Sequence, residues 1–131
     1  MANATAITIN DLTPNGSIVA PTAQVLDTGT AAVTLETPAT SDMDRLVIEV
    51  SNTHATATLA VTIEAGANPP AFRQALGDVV NTAIVAVSGR RIFGPFESAR
   101  FAQAGGKLQV TFTPSAGTIT ASFVCYRLPK V

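Results

Sequence analysis

The chain is ordered by alternation with a period of two. From Arg45 to Ser51, Leu46, Ile48 and Val50 fall on one side while Arg45, Glu49 and Ser51 fall on the other, interrupted only by Val47. Successive strand side chains point to opposite faces, so this is the pattern of a strand buried on one face. It returns where Leu59, Val61 and Ile63 oppose Thr58, Thr62 and Glu64, and where Leu108, Val110 and Phe112 oppose Lys107, Gln109 and Thr111. Near the C-terminus Ile119, Ala121, Phe123 and Cys125 alternate with Thr118, Thr120, Ser122, Val124 and Tyr126. The second face of that strand turns apolar toward its end and is expected to meet another surface.

Five further segments, Thr5 to Ile9, Ser17 to Leu26, Thr30 to Glu36, Val79 to Val87 and Arg91 to Phe93, are rich in Val, Ile and Thr and read as strands. Val79 to Val87 is apolar on both faces. The cuts between strands carry turn chemistry: Pro14-Asn15-Gly16, Asp27-Thr28-Gly29, Ser88-Gly89, Gly105-Gly106 and Pro114-Ser115-Ala116-Gly117. A short connecting helix is predicted at Pro70 to Leu76, with Asn68 as cap, prolines in the first turn and Gly77 as the stop. About eight or nine short strands at this spacing predict an all-β, antiparallel β-sandwich of jelly-roll-like form, although the pattern leaves an immunoglobulin-like strand order open. The first 25 residues, small, Thr- and Ala-rich and broken by Pro14 and Pro21, read as an extended N-terminal arm, with the sandwich domain at 26–131.

Composition adds a reason to look for partners. At 131 residues there is room for one domain. Hydrophobic residues make up 47% of the chain and charged residues only 13%, about half the charge of an ordinary soluble domain. That is too little to coat a monomer well, so a buried oligomeric or assembly surface is expected. A net charge of −1 supplies no field for phosphates, which argues against nucleic acid as a partner. The lone Cys125 excludes an intrachain disulfide and any cluster of several cysteines around a metal. No secretory signal pattern opens the chain and no run approaches a membrane span, so a soluble protein made in the cytoplasm is expected. The N-x-S/T matches at Asn3 and Asn15 carry no weight without secretion.

The chemistry is sparse. His54, the only histidine, stands at a strand end with no recognisable nucleophile elbow and reads as a turn residue. Asp42-Met43-Asp44 offers too few oxygens at the spacings a calcium loop needs and reads as a solvated loop. Gly105-Gly106-Lys107 lacks phosphate-loop spacing and reads as a hairpin turn. Cys125 reads as a buried small hydrophobe. Arg90, Arg91 and Arg100 are interleaved with Phe93, Phe96 and Phe101. Either the phenylalanines fill the core while the arginines face water, or the set forms a contact surface for a protein. No enzyme, cofactor or metal is expected. With no Trp and a single Tyr, sugar stacking is the weaker alternative among binding functions.

One stretch resembles a known class. Arg91-Ile92-Phe93-Gly94-Pro95-Phe96-Glu97-Ser98-Ala99-Arg100-Phe101, then Gly106-Lys107-Leu108-Gln109-Val110-Thr111-Phe112 and a closing Gly117-Thr118-Ile119 strand, is similar to small β-sandwich virion proteins of tailed phages. The likeness extends back through a strand ending in Ser51-Asn52 and the segment Ala57 to Gly66. It covers roughly residues 45 to 131 and leaves the N-terminal third without a matching motif. It implies a structural role: a capsid decoration, or cement, protein that forms a homotrimer on the capsid surface and has the major capsid protein as partner. Such a protein is made in the host cytoplasm and ends in the virion. A tail or connector protein is the alternative, and an adhesin-like sandwich the weaker one. No small-molecule substrate or membrane partner is implied. The arm is expected to make intersubunit contacts by adding a strand to a neighbour's sheet edge. The interface residues expected are Ile7, Ile9, Leu12, Phe72, Arg73, Arg90, Arg91, Arg100 and Tyr126.

Overall fold

The computed structural model describes residues 4–27, 31–40, 42–66 and 77–130. Nine strands are seen among them: β1 (Ile9–Asp11), β2 (Gln24–Leu26), β3 (Val33–Glu36), β4 (Leu46–Asn52), β5 (Leu59–Ile63), β6 (Val79–Ile84), β7 (Gly89–Phe93), β8 (Gln109–Pro114) and β9 (Ala121–Arg127). They form two sheets. In one, β9 pairs with β4 and β4 with β7, while the other edge of β9 is shared by β1 and β2. In the other the order is β3-β8-β5-β6.

Read from β2, the two sheets are β2-β9-β4-β7 and β3-β8-β5-β6. That is the strand order of a jelly roll, with β1 added to it. The immunoglobulin-like order left open by the pattern is therefore excluded. One pairing departs from the antiparallel expectation: β1 runs parallel to β9, with Ile9 opposite Cys125 and Asp11 opposite Arg127.

The alternation works as the pattern requires. Along β4, Leu46, Ile48, Val50 and Asn52 point inward and are buried, and along β5 Leu59, Val61 and Ile63 do the same. The seven β4–β9 pairs run from Leu46 opposite Arg127 to Asn52 opposite Ala121. This register sets the inward residues of β4 against Phe123 and Cys125, and a slip of one residue would turn the inward set of the slipped strand to solvent. Phe112 of one sheet stacks on Phe123 of the other with centroids 5.3 Å apart, joining the layers at the centre of the core. Truncating either ring would cost about 3–5 kcal/mol.

Several elements differ from expectation. The strand expected over Ser17 to Leu26 is confined to Gln24–Leu26, because residues 13–20 loop out into solvent. The strand expected at Thr5 to Ile9 is displaced to Ile9–Asp11, and the end of the arm expected at residue 25 falls inside β2. The helix expected at Pro70 to Leu76 lies outside the described residues. Two unexpected single turns are present among the described residues. The 3-10 turn Met43–Arg45 replaces the expected solvated loop, and buries Met43 completely. The one-turn helix α1 (Ser98–Phe101) follows the Gly94-Pro95 turn.

Gly94 sits at φ +118, and a Cβ there would strike the Leu46 carbonyl oxygen. A side chain at this position is excluded both by the backbone conformation and by the close approach of β4. Behind the turn Phe96 and Phe101 are both buried, in an edge-to-face pair with centroids 5.9 Å apart. Of the two readings of the aromatic and arginine stretch, the core-filling one therefore holds for Phe96 and Phe101.

Candidate interaction surface

The two sides of the sandwich are finished differently. On one side, residues 4–12 close the gap between the sheets. The Ala4 N–H donates to the Val25 carbonyl (3.0 Å), Ile7 N–H to Glu36 O of β3 (3.0 Å) and Leu12 N–H to Arg127 O of β9 (3.0 Å). The Gln24 side chain clamps the segment, accepting from Thr8 N–H and donating to Ala6 O, each at 2.8 Å. Ile7 is driven between the sheets and is only 1% exposed. Asp11 then pairs with Arg127 across the β1–β9 ladder, the second of its two hydrogen bonds being 3.0 Å. The hydrogen bond from Arg127 holds the Asp11 carboxyl below its ordinary value of 3.8, against an opposing cost of burial and with added help from the positive charges of Arg127 and Arg45. Asp42 lies 2.8 Å from Arg45 and 3.7 Å from Arg127, so the pair belongs to a four-residue network.

This arrangement corrects one expected contact. Ile7 belongs to the chain's own core and is off the surface, because the arm covers the edge of its own sheet. Ile9 packs half-buried against the same core, and Leu12 is half-buried.

The opposite side carries the outer strands β6 and β7 and the turn between them. Here apolar side chains face water: Val80 is 56% exposed, Val85 60%, Val87 67% and Ile92 65%. Within β6 the period of two explains the exposure of Val80. A register irregularity between Leu59 and Val61 gives β6 one extra residue, so that Asn81 lies opposite Val61 and Ile84 opposite Leu59. Inward and outward positions exchange across the irregularity, and an apolar run through β6 cannot bury both faces.

The turn is held by polar contacts from within. Asn52, 1% exposed, donates through Nδ2 to the carbonyls of Ala57 and Ile84, each at 2.9 Å, and accepts from His54 N–H at 3.0 Å. It thereby ties β4 to the opposite sheet. His54 Nδ1 accepts from the backbone N–H groups of Thr56 (3.0 Å) and Ala57 (2.9 Å), and its carbonyl accepts from Val87 N–H at 2.8 Å. These contacts hold Val87 at φ +73, a left-handed conformation that a β-branched side chain strongly resists. Strain of this kind costs about 1–3 kcal/mol and persists only where the surroundings enforce it. Beside the turn is an open groove of about 400 Å³ lined by Ile84, Val85, Gly89, Arg90 and Arg91.

The remaining expected contacts are scattered. Arg90, Arg91 and Arg100 do not form one cluster. Arg90 pairs with Glu49 of the neighbouring strand, Arg91 lies exposed on β7, and Arg100 stacks over the Phe101 ring and donates to Gly77 O at 3.2 Å. Tyr126 is half-buried on β9, opposite Val47. Phe72 and Arg73 lie outside the described residues. Sequence reasoning passes over Val19, which is 93% exposed in the 13–23 loop, and over Val85 and Val87. The signal that points to them is an apolar segment flanked by turn residues with no alternating partner, together with the two-faced apolar character of 79–87.

Chemical groups elsewhere are engaged in structure. Cys125 is buried and loss of solvent pushes its thiol up to about 12, which keeps it protonated and unreactive at neutral pH. A second groove, of about 310 Å³, lies beside the arm and brings Glu36 and Lys107 together with threonines and Gln109. Among the described residues no group of three or more His, Cys, Asp or Glu side chains is placed to hold a metal, and no helix is long and apolar enough to cross a membrane. No known protein family matches the chain, and no curated protein or solved structure matches it.

Proposed function

We propose that this chain is a structural virion protein that binds the outside of an assembled phage capsid and stabilises it, working as a homotrimer with the major capsid protein as its partner. The observation that carries this reading is the contrast between the two sides of the sandwich: one closed by the chain's own arm, the other ending in edge strands that leave valines and an isoleucine in water. Edge strands with exposed apolar side chains are ready-made association sites unless something covers them. The jelly roll supports the reading because it is a recurrent architecture of viral shell proteins, although the fold alone does not assign a function.

A protein that binds the assembled lattice and not its free subunits stabilises the lattice by mass action, so many modest contacts suffice. Low charge suits such contacts, since few long side chains must be immobilised on binding. The test is co-sedimentation of the purified protein with undecorated, DNA-filled heads. Saturation at a fixed ratio to the major capsid protein, with heads made more resistant to heat, is the expected result. Absence of binding overturns the capsid reading and favours a tail or connector position.

A further inference from the structure

We infer that the open seam between β6 and β7 takes up an extended segment of the capsid protein, paired edge to edge with β7 and bringing a carboxylate to Arg91. The inference deepens the proposed function and rests on it for the identity of the partner, but not for the chemistry of the seam.

The side chain of Arg91 decides what can enter. In the β4–β7 register Arg91 lies opposite Val50 and Phe93 opposite Ile48, whereas Arg90 lies opposite Ser51 and Ile92 opposite Glu49. Directly opposed residues of an antiparallel pair share a face. Ile48 and Val50 are buried between the sheets, so Arg91 is on the inner face of β7 and Arg90 on the outer one, where it meets Glu49. Arg91 is exposed and lines the groove of about 400 Å³ together with Ile84, Val85, Gly89 and Arg90. It pairs with no acid among the described residues. No acidic residue occurs from Val79 to Phe93, and the one acid of β4 is the Glu49 already engaged by Arg90.

The strand edges beside it are open. β7 ends one sheet and β6 the other, and neither has a strand on its outer side among the described residues. Such an edge is a template for a further strand, and an inward-pointing charge on it guards against indiscriminate pairing. An apolar strand laid beside β7 would cover the Arg91 guanidinium without a partner, which is strongly unfavourable. A strand with a carboxylate opposite Arg91 forms a planar, doubly hydrogen-bonded pair instead. The guard thus selects the occupant: acidic at that position, and apolar at the neighbouring inner positions that meet Ile84 and Val85. On the outer face Ile92, 65% exposed, gains a cross-strand neighbour.

The closed side of the sandwich is filled by a segment of the same chemistry. Residues 4–12 reach Val25, Glu36 and Arg127 through backbone hydrogen bonds, Ile7 enters between the sheets, and Asp11 pairs with Arg127. An extended segment with an apolar anchor and an acid set on an arginine therefore fits a seam of this fold. The chain's own arm is already used there, which leaves the β6–β7 seam to another chain.

The experiment is a titration, followed by amide NMR, of the wild type, R91Q and R91E with a short blocked peptide of alternating valine and threonine carrying a central aspartate. Thermal melting checks that each variant folds. The wild type should show saturable shifts confined to Gly89–Phe93 and the β6–β7 turn. A peptide with lysine in place of the aspartate should bind about tenfold more weakly, R91Q should lose the preference, and R91E should reverse it. A proline-interrupted peptide should not bind, because it cannot supply the edge hydrogen bonds. Equal binding of the aspartate and lysine peptides to the wild type overturns the inference, as do shifts elsewhere on the surface or no binding of either peptide. Heads are tested in parallel. R91E should need about ten times the wild-type concentration to saturate them, and unchanged head binding by R91E overturns the inference. If the wild type itself never binds heads, the capsid reading falls, and the peptide result alone upholds or overturns the seam.

Discussion

The arm-covered side and the β6–β7 side are built from similar residue types and end in opposite states. On the first, an isoleucine from an irregular segment is 1% exposed; on the second, a valine whose backbone is hydrogen-bonded in the β6–β7 turn is 67% exposed. The difference is one of covering. Residues 4–12 supply a lid with its own backbone partners in β2, β3 and β9. No comparable segment among the described residues lies over β6 and β7, so apolar side chains there stay in water although the strands beneath them are well formed. Hydrophobicity alone therefore does not say which residues build the fold and which face a partner.

Single substitutions break or sharpen this contrast. The largest effect is expected at Ile7→Ala, which leaves a cavity between the sheets and should cost about 2–5 kcal/mol in urea unfolding. The matching change on the exposed loop, Val19→Ala, should stay within about 0.5 kcal/mol. Equal losses at both positions would show that the loop packs on its own domain. Asn52→Ala should cost about 2–4 kcal/mol by stranding the Ala57 and Ile84 carbonyls and the His54 N–H. Amide exchange should report the loosening first in β6 and the β6–β7 turn.

On the open side the sign reverses. Val87→Asn relieves a disfavoured backbone conformation and should raise the melting temperature, with a gain of about 1 kcal/mol. A loss would mean that the valine already packs usefully within its own subunit.

The smallest effect concerns the clasp of the arm. Asp11→Asn removes a pair whose carboxylate is 63% exposed, so solvent screening limits the loss to about 0.5 kcal/mol. Because the folded protein holds the Asp11 carboxyl below its ordinary 3.8, the contribution is present above that pH and disappears as pH falls through the lower, folded value. Stability of the wild type and of the variant should therefore converge in acid, and parallel curves down to the lowest pH would exclude the clasp.

Much of the sandwich is legible in the amino-acid pattern alone. The strands at 45–51 and 59–63 can be read because a surface covered on one face imposes a period of two, and the alternation of Leu46, Ile48 and Val50 repeats nothing else. Phe96 and Phe101 can be placed in the core only as one of two readings, since aromatic residues serve interiors and interfaces equally well. Met43 escapes such a reading because a single buried residue on a three-residue turn has no period. Ile7 falls to the wrong surface for the same reason: its burial depends on β2, β3 and β9, which are distant in sequence.

The residues by themselves determined an all-β sandwich, the register-bearing strands of its core and a surplus of apolar surface for the charge available, because each follows from local periodicity or from composition. Only the tertiary structure decided that the strands follow jelly-roll order, that the arm closes its own sheet, and that the surplus lies at Val19 and around the β6–β7 turn. Those outcomes depend on which strand edges are covered. Covering is a relation between segments as far apart as Asp11 and Arg127, and no local pattern encodes it.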